Sequence, residues 1–150
     1  MAELKTRPTK ASVDKFIDTQ ERESVRDDCR TLVRIMQDIS GEPAVMWGPS
    51  IIGFGSFVYQ YSGGKELQWP VLAFSPRKQN LTIYLLPGFS AKKDLLKKLG
   101  KNKTSVSCLL VKGLDGLHMP TLKKLIVESY RDVVMKYGKR IGAKEMGRGG

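Results

Sequence analysis

The sequence predicts a single α+β domain built on an antiparallel three-stranded meander, and three observations carry that prediction. Apolar residues between Glu21 and Ile39 recur at three- and four-residue spacing, as on a helix with one buried face. Between Ile51 and Leu86 the chain changes to aromatic and β-branched stretches separated by turn residues. From Pro120 onward the helical spacing returns.

Taken in order, residues 1–11 read as a flexible N-terminus, and Ser12 as the N-cap of a short helix through Phe16 and Ile17. The helix from Glu21 to Ile39 gathers Val25, Cys29, Leu32, Val33, Met36 and Ile39 on one face. Its other face carries Glu23, Asp27, Arg30, Arg34 and Asp38, with opposite charges three or four residues apart. Gly41 and Pro43 end it. The expected strands are Phe54–Tyr61, Leu67–Ser75 and Leu81–Leu86, and the Leu32–Met36 face should pack on the sheet they form. Turns fall at 62–65 and at 76–80, where Pro76 suits the first central position.

Pro87 and Gly88 break the sheet, and Ser90 is placed to cap a helix through Leu99. In that helix Leu95, Leu96 and Leu99 share a face, while Lys92, Lys93, Lys97 and Lys98 occupy the solvated remainder. A strand over Val106–Val111 follows. The last helix starts near Pro120, favourable at a first helical position, and buries Leu122, Leu125, Ile126, Val133 and Tyr137. The domain therefore spans 12–137, and the basic, glycine-rich 138–150 reads as a disordered tail.

A chain of 150 residues, 41% hydrophobic, can bury roughly 70% of its unfolded surface in one core. No apolar run approaches the ~20 residues that cross a bilayer, so no membrane partner is expected. The opening MAELKTRPTKAS lacks the apolar stretch of a secretory signal. Cys29 and Cys108 form no CxxC and fall in apolar settings, as buried thiols of a cytoplasmic protein do. With 26 Lys+Arg against 15 Asp+Glu the net charge is +11, which favours polyanions through counterion release. The charge predicts weak, sequence-indifferent nucleic-acid association at low salt through Lys92, Lys93, Lys97, Lys98 and the tail.

Gly53-Phe54-Gly55 has the look of a phosphate loop, which needs G-x-G-x-x-G running into a helix. Val58 stands at the third glycine position, and the segment leads into a strand. An RNA-stacking strand requires a basic residue before the first glycine and alternate aromatics on one face. Ile52 replaces the base, and the additional Ser56 puts Phe54 and Phe57 out of register unless a bulge absorbs it. Two close glycines in a strand instead mark a bend, a bulge or a close approach. The single histidine, His118, precedes a helix without a second histidine for a metal motif, and reads as a surface or capping residue. No catalytic constellation, metal site or cofactor motif is recognised, so the expectation is a protein that is not an enzyme.

Longer phrases carry a family resemblance. MWGPSIIGFG (Met46–Gly55), Tyr59-Gln60-Tyr61, Trp69-Pro70, FSPRKQNLTIYL (Phe74–Leu85), Leu99-Gly100-Lys101 and CLLVKGLD (Cys108–Asp115) together resemble the YdhG-like domain of unknown function. The resemblance implies a frataxin-like α/β sandwich, an antiparallel sheet with helices on one face, in a small cytoplasmic bacterial protein. One branch of that family is described as an iron chaperone for cofactor assembly. Iron sites of this kind use a ridge of carboxylates, hard oxygen ligands, whereas the Glu21–Ile39 helix mixes Arg30 and Arg34 with its acids.

The residues themselves favour a different candidate. Trp47, Tyr59, Tyr61, Trp69, Arg77, Lys78 and Tyr84 form an aromatic and basic set around the expected strand ends, and Trp47, Trp69 and Arg77 are expected to border a common concavity. Aromatic rings offer large apolar faces with a polar edge, and arginine grips anions bidentately. The expected function is a non-catalytic module that binds a small molecule or a protein. An iron-handling chaperone and a nonspecific polyanion binder are the alternatives.

Overall fold

A computed structural model describes residues 8–61, 65–86, 92–105 and 107–138, without the side chains of residues 59–61, 65 and 67. Helix α1 (Val13–Asp18) starts where expected, the Ser12 hydroxyl accepting a hydrogen bond from the Lys15 N–H. Helix α2 (Glu23–Ser40) closes at Gly41. Its apolar face is buried as the spacing predicts: Cys29, Leu32 and Met36 are sealed, and Val25, Val33 and Ile39 pack partly buried beside them.

The chain then runs β1 (Ala44–Trp47), β2 (Ile51–Phe54), β3 (Phe57–Tyr61), β4 (Lys65–Trp69), β5 (Leu72–Pro76) and β6 (Leu81–Tyr84). After α3 (Lys93–Leu99) come β7 (Lys103–Ser105), β8 (Cys108–Val111) and α4 (Met119–Tyr137). Among the described residues these form a six-stranded antiparallel sheet, β1-β2-β5-β6-β8-β7, and a two-stranded ribbon, β3-β4. The architecture is α+β.

The antiparallel meander is present, but each of its first two strands is broken in two. Phe54 pairs with Leu72 and Phe57 with Trp69, which leaves Gly55-Ser56 opposite Pro70-Val71 between the two ladders. Gly55 has φ +66°, outside ordinary strand geometry, and Pro70 has no N–H to give to a ladder. The ribbon bends there and leaves the main sheet, as the paired glycines implied.

Two strands were not anticipated. Ala44–Trp47 is too short, between Pro43 and Gly48, to show alternation, and Lys103–Ser105 is a polar, exposed edge strand. The Val106–Val111 expectation shortens to Cys108–Val111, Val106 lying outside the described residues, as do the 62–64 turn, Pro87, Gly88 and Ser90. The flexible reading of 1–11 needs a correction at its end. Pro8 bridges to Trp47, and the Thr9 N–H donates to the Met46 carbonyl at 2.7 Å, pairing the free edge of β1.

Side chains alternate across the sheet. One face sends Met46, Ile52, Phe54, Leu72, Phe74, Ile83 and Leu109 into a core shared with α2 and with Leu122, Leu125 and Ile126 of α4. Helix α4 has Pro120 in its first turn, as expected, and buries Val133. Tyr137 remains 37% exposed and stacks on Phe57 at 4.9 Å between ring centres.

Candidate functional site

The other face of the sheet carries the candidate site. Register aligns Gly53, Ala73, Tyr84 and Cys108 in one row across β2, β5, β6 and β8, and Ser75, Thr82 and Leu110 in the next. Val45, Trp47, Ile51, Ala73, Trp69 and Tyr84 make a cluster separate from the main core. Among the described residues no helix residue takes part in it.

Within that cluster the ring of Trp47 lies 6.4 Å from that of Trp69, and Trp69 meets Tyr84 edge-on at 6.1 Å. The Arg77 Nη2 donates to the Tyr84 hydroxyl at 3.0 Å. Trp47, Trp69, Tyr84 and Arg77 therefore form one continuous line, aromatic at one end and cationic at the other. Gly53 makes it possible: a Cβ there would come within 2.6 Å of Trp47 Cδ1 and 2.7 Å of Pro70 Cβ. The bend in the ribbon brings Trp69 back over the sheet.

The expected concavity is placed differently. An open depression of about 520 Å³ runs along β6 and β8, lined by Arg77, Lys78, Gln79, Asn80, Thr82, Tyr84, Ser105, Cys108 and Leu110. Three of the sequence candidates, Arg77, Lys78 and Tyr84, border it. The tryptophans do not. Trp47 is 2% exposed, so it supports Trp69 and offers no free face to a ligand. The side chains of Tyr59 and Tyr61 lie outside the described parts. Thr82 shares β6 with Tyr84 and was passed over, whereas Ser105, Cys108 and Leu110 escaped sequence reasoning because only the pairing of β6 with β8 and of β8 with β7 sets them beside Tyr84.

The turn is firm. The Arg77 N–H donates to the Asn80 carbonyl at 2.9 Å, and Lys112 Nζ reaches the Gln79 carbonyl at 3.4 Å. No carboxylate among the described residues pairs with Arg77 or Lys78. On its other side the same turn borders a recess of about 360 Å³ that also holds Thr19, Gln20 and Glu21.

The thiols differ. Burial pushes Cys29 up to about 12, and its side chain is sealed in the core. Cys108 is part-exposed; burial also raises it, against the opposing pull of the Arg77 charge. His118 occupies the N-cap position of α4, its Nδ1 2.6 Å from the Thr121 hydroxyl. Among the described residues no three His, Cys, Asp or Glu side chains are grouped so as to hold a metal ion.

Phe54 and Phe57 are 0% and 1% exposed, so neither ring is free to stack on a base. Of the four lysines assigned to the solvated face of α3, Lys93, Lys97 and Lys98 are exposed. Lys92 departs from that reading. It is 6% exposed and its ammonium binds the Asp132 carboxylate at 2.7 Å, fastening the start of α3 to α4. No helix among the described residues is long and apolar enough to cross a membrane.

Comparison of the chain with protein-family models, with curated proteins and with solved structures found no match.

Proposed function

We propose that the chain is a non-catalytic binding module whose outer sheet face receives a ligand. The observation that carries the reading is the line Trp47–Trp69–Tyr84–Arg77 ending at a depression of about 520 Å³. Small-molecule sites have volumes of this order, with a few placed polar groups among apolar ones. Arg77 is oriented by Tyr84, and Leu110 and Cys108 supply an apolar floor. The resemblance to the YdhG-like domain supports the same picture, since a frataxin-like sandwich would leave one sheet face clear of helices.

A second reading rests on Lys93, Lys97 and Lys98, which stand exposed on a short helix and favour weak polyanion association. The iron-chaperone alternative has less support. Arg30 of α2 binds Asp18 of α1 at 2.6 Å, so a cation of the helix that would need a carboxylate ridge already holds a neighbouring acid.

Native mass spectrometry of the chain isolated gently from its own cells tests the proposal. A retained small-molecule mass, absent from an Arg77→Met variant prepared alongside, is the expected result. Retention unaffected by that substitution, or retention of iron alone, would count against it.

A further inference from the structure

We propose that the depression between β6 and β8 is a site for a ligand carrying an anionic group, a phosphate or a carboxylate, attached to a small apolar body. The inference rests on the outer-face binding reading and specifies its ligand. Arg77 and Lys78 line it, and no described residue of the lining is a carboxylate that would neutralise them. A guanidinium has five N–H donors. One is given to Tyr84, which fixes the plane of the group and leaves the others for an anion in bidentate geometry.

The surroundings fit the same chemistry. Thr82 and Ser105 add hydroxyl donors beside the cations, and Leu110 and Cys108 present apolar surface beyond them. Burial raises the Cys108 thiol, and the Arg77 charge on the same lining opposes that rise. The recess on the opposite side of the turn sets a carboxylate, Glu21, and a further cation, Arg22, beside the same Arg77 and Lys78. The sheet side differs in pairing the two cations with hydroxyl and apolar groups and no described carboxylate. Ala73 and Ser75 of β5, the strand beside β6, carry small side chains on this face.

The experiment is an amide NMR titration of the full chain with three probes of similar size: phenyl phosphate, benzoate and benzyl alcohol. Expected are saturable shifts at residues 77–80, 82–84 and 108–110 with phenyl phosphate, benzoate or both, weakening as salt rises. Whichever anion binds identifies the natural group as phosphate or carboxylate. Arg77→Met should lower that affinity about tenfold or more, the scale of a lost charge-assisted pair. Arg77→Lys should fall between, keeping the charge without the fork. The spectrum of each variant away from the turn reports that the fold is intact. Benzyl alcohol binding as well as the anions would overturn the anionic assignment while leaving a ligand site on this face. Anion shifts centred on Lys93, Lys97 and Lys98 would overturn it in favour of a nonspecific charge effect. No perturbation of the outer face by any probe would overturn both the assignment and the reading beneath it.

Discussion

A Cβ placed on Gly53 would lie 2.6 Å from Cδ1 of Trp47 and 2.8 Å from its Nε1. The indole occupies the space that any other residue at 53 would fill, and Trp69 rests against that indole. Gly53→Ala should therefore displace Trp47 and loosen the aromatic line at its base. We expect a loss of about 1–3 kcal/mol, the usual cost of forcing an additional carbon into a packed site. Thermal unfolding followed by tryptophan fluorescence measures it. An unchanged midpoint and emission maximum would show that the close approach is not structurally required.

Asp28 offers a test by pH. Burial raises its carboxyl above 3.8, more than the hydrogen bond from the Leu114 N–H lowers it, and Asp27 and Asp115 push in the same direction as burial. A raised carboxyl binds its proton more tightly in the folded chain, so this group stabilises the fold as pH falls through the raised value. At neutral pH its ionised form opposes folding. Asp28→Asn keeps an acceptor for the Leu114 N–H, now 3.1 Å from Oδ2. It should be at least as stable as the parent at pH 7, with its advantage shrinking toward pH 4. Asp28→Ala leaves that N–H unpaired and should cost about 1–3 kcal/mol. Denaturation of the three proteins across this range decides it, and an advantage of Asp28→Asn that grows on acidification would contradict the sign.

The two thiols should label in a fixed order. Cys108 is part-exposed in the depression, whereas Cys29 is sealed and pushed to about 12. Since the thiolate is the reactive form, a thiol reagent at pH 8 should modify one equivalent, at Cys108, and the second only on unfolding. Peptide mapping identifies the site. Fast labelling of Cys29 in the native chain would mean that α2 opens far more readily than its packing implies.

Much of this architecture was written into local sequence. Helices α2 and α4 were legible because one apolar face at helical spacing survives any choice of neighbour, and Ser12 named its own cap. The ribbon was only half legible. Gly55 announced a bend, but the apolar run from Trp69 to Phe74 continues across Pro70 on the partner strand, so two strands read as one. The site was less legible still. Arg77, Lys78 and Tyr84 were within reach because the turn and β6 are adjacent in sequence. Ser105, Cys108 and Leu110 reach the same depression only through long-range strand pairing. Trp47 is buried where an open ring was expected, because nothing local shows that Gly53 leaves room for its indole against the sheet. Lys92 looked like its exposed neighbours until Asp132, on another helix, was set beside it.

The basic helix gives a prediction that separates charge from recognition. Association with duplex or single-stranded oligonucleotides should be weak, indifferent to sequence and largely gone by about 0.15 M salt, where screening acts within roughly 8 Å. Replacing Lys93, Lys97 and Lys98 by Gln should flatten the dependence of log K on log salt, by up to about 0.9 for each phosphate no longer neutralised. Lys92→Gln should leave that slope nearly unchanged and instead lower thermal stability, because its ammonium is already committed to Asp132. Tight, sequence-selective binding at physiological salt would overturn this reading.

The central claim is that the outer sheet face is where this chain meets its ligand. Amide hydrogen–deuterium exchange, with and without a low-molecular-mass extract of the chain's own cells, tests it most directly. The account predicts slowed exchange in residues 77–84 and 107–110, lost in Arg77→Met, with α2 and α4 unaffected. Protection confined to the groove that Ile39, Met119 and Val127 line between α2 and α4, with the outer face unchanged, would contradict it.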